Sequence, residues 1–337
     1  MTLNVTETTL VPPVNDNFAN ATELTSNPAT DTVDNTLATV EGPSEPSYGS
    51  GRSVWWKFTA PADGTVTVGG QGTVYGPVAI AILQGSSLDT LMELQLGYNY
   101  YAGDPTTFSA NVSSGNTYYI MMESAGTGYG ATTVNMTFTP LPPAPTDWTL
   151  AAGFGSGAAP LTAIAPADIE GGVSGPGGAM NGGYFQAPVN VVEGFSETTV
   201  SMWVNLAADS DPSAHIFDFG DGYWHDMALS NGAFYMNNEW WEQVNFPAMS
   251  PGVWHHIVVT YDTSNLVSIY VDGALAGSEY FGQSMSWFGG SANNYFGLTQ
   301  NGPTPVLDGS IDTTLIYSRA ISAGEVRALF EAPGIAP

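Results

Sequence analysis

Apolar and polar residues alternate in short runs along the first part of the chain. In Ser53–Thr59, Val54, Trp56 and Phe58 fall on one face of an extended strand, with Trp55 and Lys57 on the other. Thr65–Val68, Val78–Leu83, Thr106–Val112, Thr117–Glu123 and Thr132–Phe138 follow, and the last aligns Val134, Met136 and Phe138. Turn residues separate these runs, and that rhythm predicts an antiparallel sandwich. The pattern breaks at Thr139-Pro-Leu-Pro-Pro-Ala-Pro145, which cannot enter a sheet interior and favours an extended connection. Gly/Ala-rich sequence continues from there to about residue 182.

Alternation then resumes. Val200, Met202, Val204 and Leu206 align within Thr198–Leu206, and Ile257, Val259 and Tyr261 within Trp254–Tyr261. Val267, Ile269 and Val271 precede Asp272-Gly273, a dipeptide that predicts a hairpin turn. One helix is expected. Ser322 and Glu325 form a capping box ahead of Val326, Leu329 and Phe330, and Pro333-Gly334 stops it. The reading is all-β: two antiparallel β-sandwich (jelly-roll) domains, a Pro/Gly-rich linker and one short C-terminal helix. The expected boundaries are an N-terminal arm at 1–14, a first sandwich at 15–139, a linker at 140–165, a second sandwich at 166–332 and a tail at 333–337.

Two stretches resemble known families. Gly252–Asp262 (GVWHHIVVTYD), followed by Val267–Ala276 (VSIYVDGALA), resembles the laminin-G-like, concanavalin-A-like jelly rolls. Asn181-Gly-Gly-Tyr-Phe185 stands at that family's opening strand, and Leu307–Ser322 resembles its closing motif down to the capping box. That resemblance covers roughly residues 150–332 and implies a fold rather than an activity. The first half, with Asn15-Asp-Asn-Phe-Ala-Asn-Ala21, Glu41–Pro46 and Ser53–Thr67, resembles bacterial and viral surface β-domains that serve as accessory modules.

Charge narrows the possible partners. Only Arg52, Lys57, Arg319 and Arg327 are basic against 31 acidic residues, so the net charge is -27, yet charged residues make up only 10% of the chain. Such a surface repels nucleic acid and anionic membranes. It also has few ion pairs to lose in brine, where the Debye length shrinks to ~3 Å. There is no cysteine, which excludes disulfides, thiolate metal sites and a Cys nucleophile. No run of about 18 apolar residues is present, so membrane insertion is not expected. The N-terminus lacks the basic and apolar regions of a secretory signal.

Candidate chemistry is sparse. Asp168-Ile-Glu170 resembles part of a glucanase strand but lacks the third carboxylate. His255 and His256, adjacent within a strand, point to opposite faces and cannot share a metal. His215 and His225 flank the Asp-rich segment Asp218–Asp226, whose Asp218, Asp221 and Asp226 are calcium candidates, as is Asp312 by resemblance to the closing motif; Thr313 stands where that family has Glu. Tyr223, Trp224, Tyr235, Glu239, Trp240, Trp241 and Trp287 make up the candidate carbohydrate site, because aromatic rings stack on sugar C–H faces while carboxylates accept hydroxyl hydrogen bonds. No nucleophile elbow, phosphate loop or dinucleotide fingerprint occurs.

The expectation is a non-catalytic protein of a phage virion surface (capsid decoration, fibre or spike) contacting glycans or neighbouring coat or fibre subunits. The alternative is a secreted bacterial surface adhesin or lectin. A glycoside hydrolase ranks behind both. Calcium is the cofactor considered first, with a transition-metal site of His215, His225 and the neighbouring carboxylates ranked behind it. A homo-oligomer would suit a spike or fibre, although no coiled-coil heptad supports one.

Overall fold

The computed structural model describes residues 11–49, 51–72, 78–101, 104, 106–124, 129–152, 161–164, 168–173, 176–222, 225–238, 240–287, 291–300 and 306–333. It divides into two compact units, Met1–Leu141 and Pro142–Pro337. Both are sandwiches of mainly antiparallel strands, so the chain is all-β with one α-helix among the described residues.

The first unit contains β1 (Thr22–Glu23), β2 (Ala29–Asp34), β3 (Ser53–Thr59), β4 (Gly64–Gly72), β5 (Val78–Gln84), β6 (Met92–Asn99), β7 (Thr107–Val112), β8 (Thr117–Ser124) and β9 (Ala131–Pro140). A five-stranded sheet, β1-β3-β8-β5-β6, faces a four-stranded one, β2-β9-β4-β7. Val54, Trp56, Ile80, Ile82, Ile120, Val66, Val68, Val134 and Met136 fill the space between them. The outer face of the four-stranded sheet is solvated and carries cross-strand hydroxyl pairs such as Thr32–Thr133 and Thr67–Ser109.

The five-stranded sheet is buried on both faces, and this explains the Asn-Asp-Asn-Phe motif. Trp55, Ala81, Leu83 and Met121 form a second apolar layer on its outside. Asn15 strings the N-terminal segment onto that layer: its Nδ2 donates to Trp55 O at 3.0 Å, and its carbonyl accepts from Trp55 N at 2.9 Å. Phe18 then lies edge-on to Trp55, with centroids 5.5 Å apart, and also packs on Tyr119. Carboxylates fasten the covering loop. Asp16 accepts from Thr39 N and Oγ1, Glu41 from Phe18 N, and Glu123 from the backbone N–H groups of Tyr48 and Gly51. The motif is a strap over a hydrophobic face.

The second unit contains β10 (Leu150–Ala152), β11 (Thr162–Ile164), β12 (Asp168–Gly171), β13 (Pro176–Ala179), β14 (Tyr184–Gln186), β15 (Thr198–Leu206), β16 (His215–Gly222), β17 (His225–Ser230), β18 (Ala233–Asn238), β19 (Trp240–Asn245), β20 (Trp254–Tyr261), β21 (Leu266–Val271), β22 (Ala274–Tyr280), β23 (Asn293–Phe296), β24 (Gly309–Tyr317) and α1 (Ala323–Glu331). An eight-stranded sheet runs β12-β13-β24-β15-β20-β21-β22, with β10 also on β24; a seven-stranded sheet runs β11-β14-β23-β16-β17-β18-β19. The stretch read from sequence as linker therefore contributes β10 and β11. Their few residues among Gly and Ala carry no alternation to read.

Met202, Val204, Ile257, Val259 and Ile311 meet Phe185, Phe217, Phe219, Leu229 and Phe296 between the sheets. A separate layer forms outside the eight-stranded sheet. There Val258, Tyr270, Leu315 and Tyr317 are covered by Ile321, Val326 and Leu329 of the helical segment, with Ala144 and Trp148 at the margin. The expected capping box holds, Ser322 accepting from Glu325 N and Glu325 from Ser322 N. The Asp272-Gly273 turn joins β21 to β22 with both residues at positive φ, 50° and 78°, the conformation a type I′ hairpin requires.

Candidate functional site

The segment read as an Asp-rich calcium loop belongs to two paired strands. β16 pairs with β17 so that Asp218 faces Ala228 and Gly220 faces Asp226. Phe217, Phe219, Met227 and Leu229 enter the core. By alternation Asp218, Asp226 and Ala228 lie on the outer face of the seven-stranded sheet. The glycine in this stretch answers to the partner strand rather than to an ion. A Cβ at Gly220 would stand 2.1 Å from the carbonyl oxygen of His225.

Asp218 is fully buried and its oxygens are engaged. Oδ2 lies 2.9 Å from His215 Nδ1 and accepts from Gln300 N at 2.9 Å; Oδ1 accepts from Gln300 Nε2 at 2.7 Å. It fastens the segment after β23 onto the sheet. Asp221 is exposed, with His225 Nδ1 at 3.4 Å. Asp226 is fully buried. Asp312 lies in a different sheet, at a bulge of β24, where Oδ1 accepts from Thr313 N at 2.7 Å and Thr313 adopts φ 43°. Among the described residues no three His, Cys, Asp or Glu side chains gather as a metal-holding group. These carboxylates therefore do not fit a shared calcium site.

The aromatic candidates separate as well. Tyr223, Trp224 and Glu239 lie outside the described residues. Trp240 and Trp241 belong to β19, in register with Asn238 and Asn237, and Trp287 ends a short 3-10 turn. Tyr235, read as a sugar-stacking ring, is 9% exposed and packs edge-on against His215 at 5.1 Å. Burial in the middle of the sheet face removes it as a contact.

The same face carries a pair that the sequence reading passed over. Tyr184 and Tyr295 are half-buried, their rings edge-on with centroids 5.2 Å apart. The Tyr295 hydroxyl donates to Asn293 Oδ1 at 3.1 Å, and Gln186 lies directly across from Tyr295. Burial, with Tyr184 and Asp218 nearby, pushes the Tyr295 phenol above its ordinary value, so it remains a donor. The detectable signal was the alternation in Asn293-Asn-Tyr-Phe296, where Asn294 and Phe296 are buried and their neighbours are not.

Groups capable of acid–base chemistry are built into the scaffold. Ser201 Oγ and His256 Nε2 are 2.9 Å apart, resembling a nucleophile and its base. Both are buried, however, and no acceptor orients His256 Nδ1. The nearby carboxylate, Asp272, instead accepts from the His256 backbone N–H at 3.0 Å and lies 2.8 Å from His255 Nδ1. His256 packs against Trp203 and Phe330, which also stack on each other, and burial pushes its pKa down to about 4. The dyad lacks the orienting acid and the substrate access that acyl transfer requires. Asp168 and Glu170 belong to β12, the edge strand of the eight-stranded sheet.

Two apposed sheets with a covering C-terminal helix make the second unit a β-sandwich. Residues 178–327 match the family model described as the concanavalin A-like lectin/glucanases superfamily. No curated protein matches the chain. Among solved structures it is similar to domain 4 of AbnA, an extracellular GH43 arabinanase from Geobacillus stearothermophilus solved with arabinotriose, at 21% identity and a TM-score of 0.46 over 51% of this chain and 88% of that one. It is also similar to the binding domain of Paraclostridial Mosquitocidal Protein 1, at 16% identity and a TM-score of 0.45 over 56% and 52% of the two chains. The botulinum neurotoxin serotype C1 binding domain gives 14% identity and a TM-score of 0.45 over 55% and 52%. The matched region spans about half the length of the two toxin domains, and likenesses at these identities bear on fold alone.

Proposed function

We propose that the protein is a non-catalytic component of a phage virion surface that contacts uncharged glycans or neighbouring coat or fibre subunits through the outer face of the seven-stranded sheet. One observation carries this reading. On that face the half-exposed Tyr184, Tyr295, Asn293 and Gln186 present rings and amides, while the Ser201–His256 dyad is sealed inside. Rings and amides hold neutral hydroxylated ligands without transforming them. The family match over residues 178–327 supports a lectin-like scaffold, and the net charge of -27 disfavours polyanionic ligands.

Mass spectrometry of purified particles tests the setting, with tryptic peptides of the chain expected at a defined copy number. Recovery from cell-surface fractions instead would assign it to a secreted adhesin. Incubation with β-glucans tests the absence of catalysis, and no reducing ends should be released. Release that disappears in Glu170→Gln would overturn the non-catalytic reading.

A further inference from the structure

The first unit carries exposed aromatic rings that no part of its core needs. β6 ends at Tyr98-Asn99, and Tyr100-Tyr101 follow it directly. Tyr100 is 58% and Tyr101 79% exposed, while Asn99 between them is 2% exposed. Exposed rings on an unanchored turn would lose entropy on binding, but this turn is pinned. Asn99 Nδ2 donates to Gly70 O at 2.6 Å and to Thr106 O at 3.1 Å. Asp104 accepts from Tyr100 N at 3.3 Å and from Thr106 N at 2.9 Å, and its own N–H donates to Tyr101 O at 3.0 Å. The backbone under the tyrosines is therefore held before any ligand arrives, which lowers the cost of binding.

The rings also form a row. Tyr98 and Tyr100, two residues apart on an extended chain, point the same way, with centroids 6.2 Å apart and planes tilted by 33°. That spacing is on the order of one pyranose ring, so neighbouring sugars of a chain can each lay a C–H face on one phenol. The charged groups beside the row are carboxylates. Glu93, on the same strand, accepts from the Tyr48 hydroxyl at 2.8 Å and has lone pairs left for sugar hydroxyls. Asp104 lies beneath the turn. A polyanion would be repelled by these carboxylates and by the net charge of -27, and a hydroxylated neutral chain would not.

We propose that Tyr98, Tyr100 and Tyr101 form an aromatic platform on the first unit that binds an uncharged polysaccharide chain, with Glu93 accepting from its hydroxyls. This site is separate from the Tyr184–Tyr295 face and makes the protein a two-site binder.

Native affinity electrophoresis of the full chain tests it, in gels cast with galactomannan, hydroxyethylcellulose, laminarin or dextran, and with alginate as the polyanionic control. Mobility should fall in at least one uncharged polysaccharide and be unchanged in alginate. The double substitution Tyr100→Ala, Tyr101→Ala, at exposed positions where folding is undisturbed, should weaken retardation at least about ten-fold, while Tyr98→Phe with Tyr100→Phe keeps the rings and most of the affinity. No retardation in any uncharged gel overturns the proposal, and so does retardation by alginate. Retardation that survives the alanine pair but disappears in Tyr184→Ala, Tyr295→Ala overturns it too, and leaves the function proposed for the second unit standing. The reverse pattern keeps the platform and removes that function.

Discussion

His256 shows how a residue type associated with catalysis becomes part of a scaffold. Its ring joins Trp203 and Phe330 in a three-ring cluster, and its Nε2 meets Ser201 Oγ at 2.9 Å. Burial drives the pKa from 6.5 to about 4, against the pull of Asp272. A folded-state value below the unfolded one means that the unfolded chain binds the proton more tightly. The stabilisation is therefore complete above pH 6.5 and is lost as pH falls from there towards 4, by about 3 kcal/mol for a shift of this size. Urea midpoints measured from pH 7 to pH 4 should fall across that window, and His256→Gln should flatten the slope. An unchanged slope would show that the histidine titrates in the fold as it does in water.

At the scale of elements, Arg319 ties three pieces together. Its guanidinium binds Asp147 through Nε and Nη2 at 2.7 and 3.0 Å, and Glu325 through Nη1 and Nη2 at 3.1 and 2.7 Å. The segment before β10, the end of β24 and the first turn of α1 thus share one cation. Arg319→Ala should lower the denaturation free energy by about 1 kcal/mol, because the partners are part-exposed and screened, with a smaller loss in high salt. Arg327→Ala, which breaks an i,i+4 pair with Glu331, should cost about 0.3–0.5 kcal/mol. Equal losses in a denaturant titration would contradict the bridging role.

These elements also show what the sequence makes legible. α1, its capping box and the Asp272-Gly273 hairpin rest on local rules and were readable in advance. The β16–β19 meander was not, because Asp218, Asp221 and Asp226 on or beside its outer face masked the inward alternation of Phe217, Phe219, Met227 and Leu229. Trp55 looked like an outer-face residue and is one, but the strap from Asn15 buries it. That burial depends on a contact between residues 40 positions apart, which no local pattern encodes. The same reason separates the candidate aromatics from the observed pair. Tyr235 and Tyr295 are alike in sequence, and only their place across the sheet makes one buried and the other available.

For the whole molecule, the shortage of cations has a structural counterpart in how carboxylates are used. Asp34, Asp104, Asp211 and Asp262 each accept from the backbone N–H and hydroxyl of the Ser or Thr two residues on, closing turns without an ion pair. Those hydrogen bonds hold Asp34, Asp104 and Asp211 below the ordinary aspartate value. N–H dipoles take the place of Lys and Arg, and short-range hydrogen bonds survive salt that would screen separated charges. The remaining long-range term is the mutual repulsion of a net charge of -27, which opposes compactness. Added salt therefore removes a destabilising field and has few attractions to weaken. Melting temperature should rise between ~0.01 and ~0.15 M NaCl, as the Debye length falls from ~30 to ~8 Å, and then level off towards ~1 M. A protein held together by surface ion pairs would show the opposite slope, and a fall in melting temperature over that range would refute the account of carboxylates as turn acceptors.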